Sequence, residues 1–274
     1  MTLESIVNPF TAVEKPSHMF YVGLLYASVA VFLSLWIFKD SASLIMVFLT
    51  VLASISIVFS TMTLEEQADV KLKDELSILK RHASVIKYLM YLFLGFVVAY
   101  TALYLILPDS LVQLLFKTQI DTITAINSNI TGNAYSSGSI FLQIFMNNFK
   151  VLLFCLFFSF FYGAGAIFIL TWNASVIAAA AGAFIESTVA SGIHLVGAVP
   201  LALLRYGIHG VPEIVAYFIA GLAGGILSVA MMNKDLESEK FKKIILDIVD
   251  LSLIALVILL IGALLEVYVT PIFF

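Results

Sequence analysis

Residues 151–185 read VLLFCLFFSFFYGAGAIFILTWNASVIAAAAGAFI and carry no formal charge. As a single helix this stretch would run about 52 Å at 1.5 Å per residue, whereas the hydrocarbon core of a bilayer is about 30 Å thick. The segment must therefore turn and cross twice. The sequence places the turn at Thr171-Trp172-Asn173, where an interfacial aromatic meets a polar residue. That reading gives one span over about 151–171 and a second starting near Asn173.

Working outward, 151–233 holds only three charged residues, Glu186, Arg205 and Glu213. Gly210, Pro212 and Glu213 together form a helix-start signature, because proline is tolerated in a first turn and a carboxylate suits the N-terminal dipole. A further span is expected from about 211 to 232. Residues 19–38 and 42–62 are separated only by Lys39-Asp40-Ser41 and read as a tight antiparallel hairpin. Another span, 88–107, stops at Pro108, and a last one, 251–274, contains Glu266. Residues 190–208 hold His194, Gly197, Pro200 and Arg205. They either continue the preceding span or form a short re-entrant or interfacial helix, and the second reading is favoured because irregular backbone at membrane depth is tolerated where protein or water covers it. The expected architecture is all-α, a polytopic membrane helical bundle of about seven crossings (six to eight) in one integral domain, 1–274. The first apolar stretch is too long for a cleaved signal and no A-x-A site follows it.

Composition agrees. The 274 residues are 62% hydrophobic and 12% charged, and the mean hydropathy is +1.08; soluble domains are about 25% charged. A soluble enzyme, a disordered chain and a nucleic-acid binder are excluded, the last also by a net charge of −4. The single cysteine, Cys155, allows neither an internal disulfide nor a cysteine metal cluster.

With the N-terminus cytoplasmic, the inner segments carry ten of the 14 basic residues, among them Lys71, Lys73, Lys80, Arg81, Lys87, Lys234, Lys240, Lys242 and Lys243. The positive-inside rule selects this orientation and puts the C-terminus outside the cell membrane. Inner segment 63–87 reads as an amphipathic cytoplasmic helix. Thr63-Leu64-Glu65-Glu66 resembles a capping box, and Leu64, Ala68, Leu72, Leu76, Leu79, Ala83 and Ile86 form one apolar stripe. It packs on its own chain or docks a cytoplasmic partner. Outer segment 108–146 reads as a loop with an interfacial piece at Leu111–Phe116, an irregular stretch over 127–138, and a glycosylation triplet at Asn129-Ile130-Thr131.

Ionisable groups inside a membrane are expensive and by default mark function. In the expected topology Asn147, Asn148, His209, Glu213 and Glu186 gather near the outer face, and Glu266 reaches the same depth. His209 and Glu213 are four apart, on one helix face. A histidine and a carboxylate so placed can share zinc or another divalent metal, with Glu186, His194 and Glu266 as completing ligands. They can equally form a structural polar cluster or part of an ion or proton pathway. Close helix packing is expected at Gly163, Gly165, Gly182, Gly210 and the Gly221-x-x-x-Gly225 pair, within the chain or at a homodimer seam. No P-loop, H-E-x-x-H or G-x-S-x-G motif occurs.

The order Asn147-Asn148, Gly163 and Gly165, Asn173, Gly182, then His209-Gly210 with Glu213 resembles the stage II sporulation protein M family of integral membrane proteins. The resemblance covers 140–232. That family carries paired asparagines, a helix with spaced glycines, an Asn-Gly turn and a Pro-His-Gly-x-x-Glu-like motif. Here Ile208 stands for the usual proline and Ala174 for the usual glycine. The founding member resembles a scaffold more than an enzyme, and the resemblance implies recruitment of peptidoglycan-degrading partners during engulfment in sporulating bacteria. The resemblance thus implies a non-enzymatic scaffold or subunit acting beside other membrane proteins. A transporter or channel, and an intramembrane metalloenzyme using His209 and Glu213, are the alternatives.

Overall fold

Lys39-Asp40-Ser41 forms one 3-10 turn between two long helices, α1 (His18–Ile37) and α2 (Ala42–Lys71). The computed structural model describes residues 16–71, 75–133, 137–162, 165–232 and 239–274, with side chains described except at 62, 64–79, 127–133, 162 and 239–240. After α2 come α3 (Glu75–Ile106), α4 (Asp109–Leu115), α5 (Lys117–Asn133), α6 (Ser137–Tyr162), α7 (Ala166–Ala190), α8 (Leu195–Met232) and α9 (Glu239–Leu264). A π-helical turn, Leu265–Val269, and a last turn, Thr270–Phe273, extend α9. Pro108 separates α3 from α4, as expected from its effect on the residue before it. Among the described residues there is no strand, and α1, α2, α3, α6, α7, α8 and α9 are long and apolar enough to cross a membrane. The chain is a multi-pass, all-α membrane bundle.

Seven spans match the reading of the sequence, but four boundaries move. The turn in the uncharged stretch falls between Tyr162 and Ala166, not at Thr171-Trp172-Asn173. The Ser159 hydroxyl accepts a hydrogen bond from the Ala166 backbone N–H at 3.1 Å, satisfying a donor at the start of α7. A Cβ at Gly165 would collide with the Phe158 carbonyl, so the return of the chain needs glycine there. Asn173 stays inside α7 because its amide donates to the Ile169 carbonyl at 2.8 Å.

Residues 195–208 are neither re-entrant nor separate. They open α8, which follows a turn containing Gly192 at φ +100°. Pro200 falls in the second turn of α8 and Pro212 in its interior. Thr63 is likewise interior, its hydroxyl bonded to the Phe59 carbonyl at 3.1 Å, so the capping-box residues do not start a helix. The backbone over 127–133 is helical. The stripe from Leu64 to Leu79 and the Asn129 side chain fall outside the described side chains.

The core is built around α8. Its most apolar window is 83% buried, against 11% for α6, so α8 is the inner helix and α6 lies at the periphery. Small residues make this possible. A Cβ at Gly224 would strike the Leu156 carbonyl of α6, and one at Gly221 would come within 2.8 Å of the Ala166 Cβ of α7. On the other flank α1 meets α3 through facing glycines, where a Cβ at Gly95 would hit the Phe20 carbonyl and one at Gly23 the Leu92 carbonyl. Helices in lipid gain little from hydrophobic burial and much from close backbone approach of this kind.

The segment from α4 to α5 packs onto the bundle. Phe116, fully buried between the two helices, lies 5.1 Å from the Tyr104 ring and 6.5 Å from Tyr100. Gln119 is also fully buried, and its amide is satisfied. It accepts from Ser43 Oγ at 2.8 Å and donates to Ser43 O at 3.3 Å and Ser175 Oγ at 3.1 Å, tying α5 to α2 and α7.

Candidate functional site

Three helix faces converge on Glu213. On α8, His209, Glu213 and Tyr217 follow at intervals of four, one above another. Gly262, Glu266 and Thr270 do the same along α9 and its extension, and Asn148, Leu152 and Cys155 follow similarly on α6. Leu152, Cys155 and Tyr217 are buried, so these faces point inward.

The polar contacts join all three. Asn148 Nδ2 donates to Glu213 Oε1 at 2.5 Å. Glu266 is an electrostatic neighbour of Glu213, and Tyr217 neighbours both. His209 Nδ1 lies 3.2 Å from Thr270 Oγ1, and that hydroxyl bonds the Leu265 carbonyl at 3.2 Å. The hydroxyl thus links the imidazole of α8 to the backbone of the turn that follows α9.

Backbone irregularities surround the group. Thr270 N–H bonds back to Leu265 O, five residues away, and Glu266 sits inside this widened turn. Such π-helical turns recur at functional positions. Pro212 has no N–H to give to the Ile208 carbonyl, one residue before His209. Gly262 supplies the space: a Cβ there would sit 3.0 Å from Glu213 Cγ and 3.5 Å from the His209 carbonyl.

Of the residues singled out in the sequence, Asn148, His209 and Glu213 come together, with Glu266. Asn147 is exposed on the outside of α6. Glu186 is exposed on α7, where its charged and ionisable neighbours are Asp109 and Tyr104. His194 is exposed in the turn before α8. The set expected to hold zinc is therefore not assembled. Among the described residues no three His, Cys, Asp or Glu side chains gather as metal ligands. The reason lies in the length of α8: Glu213 is about 27 Å along it from Leu195, while Glu186 and His194 flank its start.

The displaced turn also changes the setting. Asn148 and Glu213 are not at helix starts beside the outer face. Asn148 lies about 17 Å along α6, and both are interior positions of long helices. Among the expected packing glycines, Gly165 and Gly221 make close approaches, Gly182 lies against the Tyr104 ring, and Gly225 is buried in α8. Gly210 has nothing within 4 Å of a built Cβ, and Gly163 falls outside the described residues.

A second polar pair was not anticipated. His82 Nε2 of α3 lies 2.9 Å from Asp247 Oδ2 of α9, and His82 is only 1% exposed. Its signal was present: His82, Leu89 and Phe96 are seven apart, and the latter two are buried core residues. The histidine thus occupied an inward position in a region read as cytoplasmic.

A family model for stage II sporulation protein M matches residues 49–271. The chain belongs to the stage II sporulation protein M family. The match runs from α2 to the final turn and so extends well beyond 140–232. It takes in α3, α9, the His82–Asp247 pair and Glu266, so the polar group on α6, α8 and α9 lies wholly within the family region. No curated protein and no solved structure matches the chain.

Proposed function

We propose that this stage II sporulation protein M family member acts as a non-enzymatic scaffold or subunit of a cell-membrane complex, with other membrane proteins as its partners. The Asn148–Glu213–Glu266 group serves as its internal tie. The observation that carries this reading is the way the polar side chains use one another. Asn148, Glu213 and Glu266 come from α6, α8 and α9 and engage across the helices, as His209 and Thr270 do. A group of this kind fixes helix register at membrane depth, where few donors or acceptors compete. The close-packed faces of Gly221 and Gly224 are used inside the chain, which leaves outer faces such as that of α6 for lipid, a partner or a second copy.

In this reading the N-terminus is cytoplasmic and the C-terminus outside, as the distribution of lysine and arginine favours. A reporter fused at each end tests that orientation. The role itself is tested on the full chain, tagged and solubilised mildly from its native membrane. A discrete heteromeric species of constant composition is expected, retained with lower thermal stability when Glu213→Gln is introduced. A chain that purifies alone and supports solute or ion flux in proteoliposomes, with the flux lost in Glu213→Gln, would overturn the proposal.

A further inference from the structure

Arg205 is held among aromatic rings from three parts of the chain. Its guanidinium carbon lies 4.9 Å from the centroid of Phe184 on α7, 5.6 Å from Phe274 after the last turn, and 6.0 Å from its neighbour Tyr206. The rings brace one another. Phe184 meets Tyr206 edge-on at 6.2 Å and Phe274 at 6.1 Å, and the Tyr206 hydroxyl donates to the Ala180 carbonyl at 3.2 Å. Rings within about 6 Å attract a guanidinium through its face and hold its plane. Its N–H donors lie in that plane. Among the described residues no carboxylate lies within 4.0 Å of the cation. Glu186 is two residues from Phe184 and faces away from it along α7, beside Asp109 and Tyr104.

The level of this cation is also defined. Phe184 is about 27 Å along α7 from Ala166, which is close to the thickness of the hydrocarbon core. With Ala166 at one boundary of the core, helix length puts Arg205, beside Phe184, where the core gives way to headgroups. It is partly exposed, and the exposed Leu204 and Val211, seven apart on α8, continue from it along the helix surface. A preoriented guanidinium without a carboxylate, at headgroup depth and above an apolar strip, is complementary to a phosphodiester with acyl chains.

We propose that Arg205 anchors a phospholipid site, binding the phosphate of an anionic glycerophospholipid, with Leu204 and Val211 against an acyl chain. The planar N–H fork engages two phosphate oxygens, and the aromatic cage holds the fork ready. The site lies about 12 Å along α8 from Glu213, with His209 between them, and does not depend on the scaffold reading.

The test uses the full chain in detergent, followed by native mass spectrometry and by thermal unfolding. Phosphatidylglycerol, phosphatidylcholine and inorganic phosphate are added separately to the unmodified chain and to Arg205→Ala, Arg205→Lys and Lys150→Ala. Phosphatidylglycerol should form a saturable adduct and raise the Tm, while phosphatidylcholine binds more weakly and inorganic phosphate gives no shift. Arg205→Ala should weaken the adduct about tenfold. Arg205→Lys, which keeps the charge and loses the fork, should also weaken it, and Lys150→Ala should leave it intact. If Arg205→Ala does not fold, Arg205→Lys carries the comparison. Equal binding by the unmodified chain and the folded Arg205 variants would overturn the proposal. So would protection by inorganic phosphate equal to that by the lipid, or a matching loss in Lys150→Ala.

Discussion

Removing the Asn148 amide is the most informative perturbation of the central group. In the native chain Nδ2 donates to Glu213 Oε1 at 2.5 Å. Asn148→Ala leaves that oxygen without its donor in a partly buried setting, at a cost of about 1–3 kcal/mol. Glu213→Ala removes the acceptor and leaves the Asn148 amide without that partner, at a comparable cost. Hydrogen bonds between transmembrane helices couple by about 0.6 kcal/mol on average and about 1.7 at most in double-mutant cycles. The carboxyl acceptor places this bond toward the upper end, so the coupling should be about 1–1.5 kcal/mol. The assay is reversible unfolding of the full chain in mixed micelles, for the native protein, both single variants and the double variant. The double variant should be more stable than the sum of the single losses implies, by that coupling. Additivity to within about 0.5 kcal/mol, the usual result for sites that do not touch, would refute the contact.

Gly224→Ala forces a methyl against the Leu156 carbonyl of α6, a backbone atom that cannot swing aside. It should destabilise the fold by about 1–3 kcal/mol in the same unfolding assay, whereas Gly210→Ala, with open space around it, should be tolerated. Gln119→Leu removes three hydrogen bonds and leaves Ser43 and Ser175 short of partners; it should lower stability by about 2 kcal/mol and speed proteolysis between α4 and α6. Asp247→Ala removes the carboxylate that faces the buried His82 and should cost about 1–3 kcal/mol, while Asp247→Asn, which keeps an oxygen acceptor, should recover much of that loss. Asn173→Cys, interior to α7, should resist membrane-impermeant thiol reagents applied from either side.

The number of spans was legible because hydrophobic length is set by bilayer thickness and leaves a plain record in sequence. The position of the central turn was not. The signal at the actual turn was Gly163 and Gly165, and glycine also marks close helix packing in a membrane, which is how both were read. Asn173 has the polarity of a loop residue but finds an acceptor at Ile169 within its own helix, so its polarity carried no information about the turn. Pro200 and Pro212 misled for a related reason. In a bundle, neighbouring helices cover the carbonyls that proline leaves free, so a helix can run through both.

The pairing of His209 with Glu213 on one face followed from spacing alone. Their meeting with Asn148 was also anticipated, although it occurs inside the helices and not at their ends. Glu266 was a candidate by depth, but the π-helical turn that carries it leaves no signature in the sequence. Glu186 was misassigned because charge scarcity alone does not say which way a side chain faces: it is exposed beside Asp109, away from Glu213.

The meeting of α6 and α8 at Asn148 and Glu213 is the claim on which the rest depends, and thiol cross-linking reads it most directly. Because the two residues meet through the ends of their side chains, the reagent must have an arm that replaces those side chains and not form a direct disulfide. In a Cys155→Ala background, Asn148→Cys and Glu213→Cys are combined in the full chain, and a short bifunctional methanethiosulfonate is applied to intact membranes. Ala166→Cys with Gly221→Cys serves as a reference pair for the α7–α8 contact, where a Cβ at 221 meets the Cβ of 166. Rapid and complete cross-linking of 148 to 213 is predicted. A 148–213 pair that stays unlinked while the 166–221 pair closes would contradict the account.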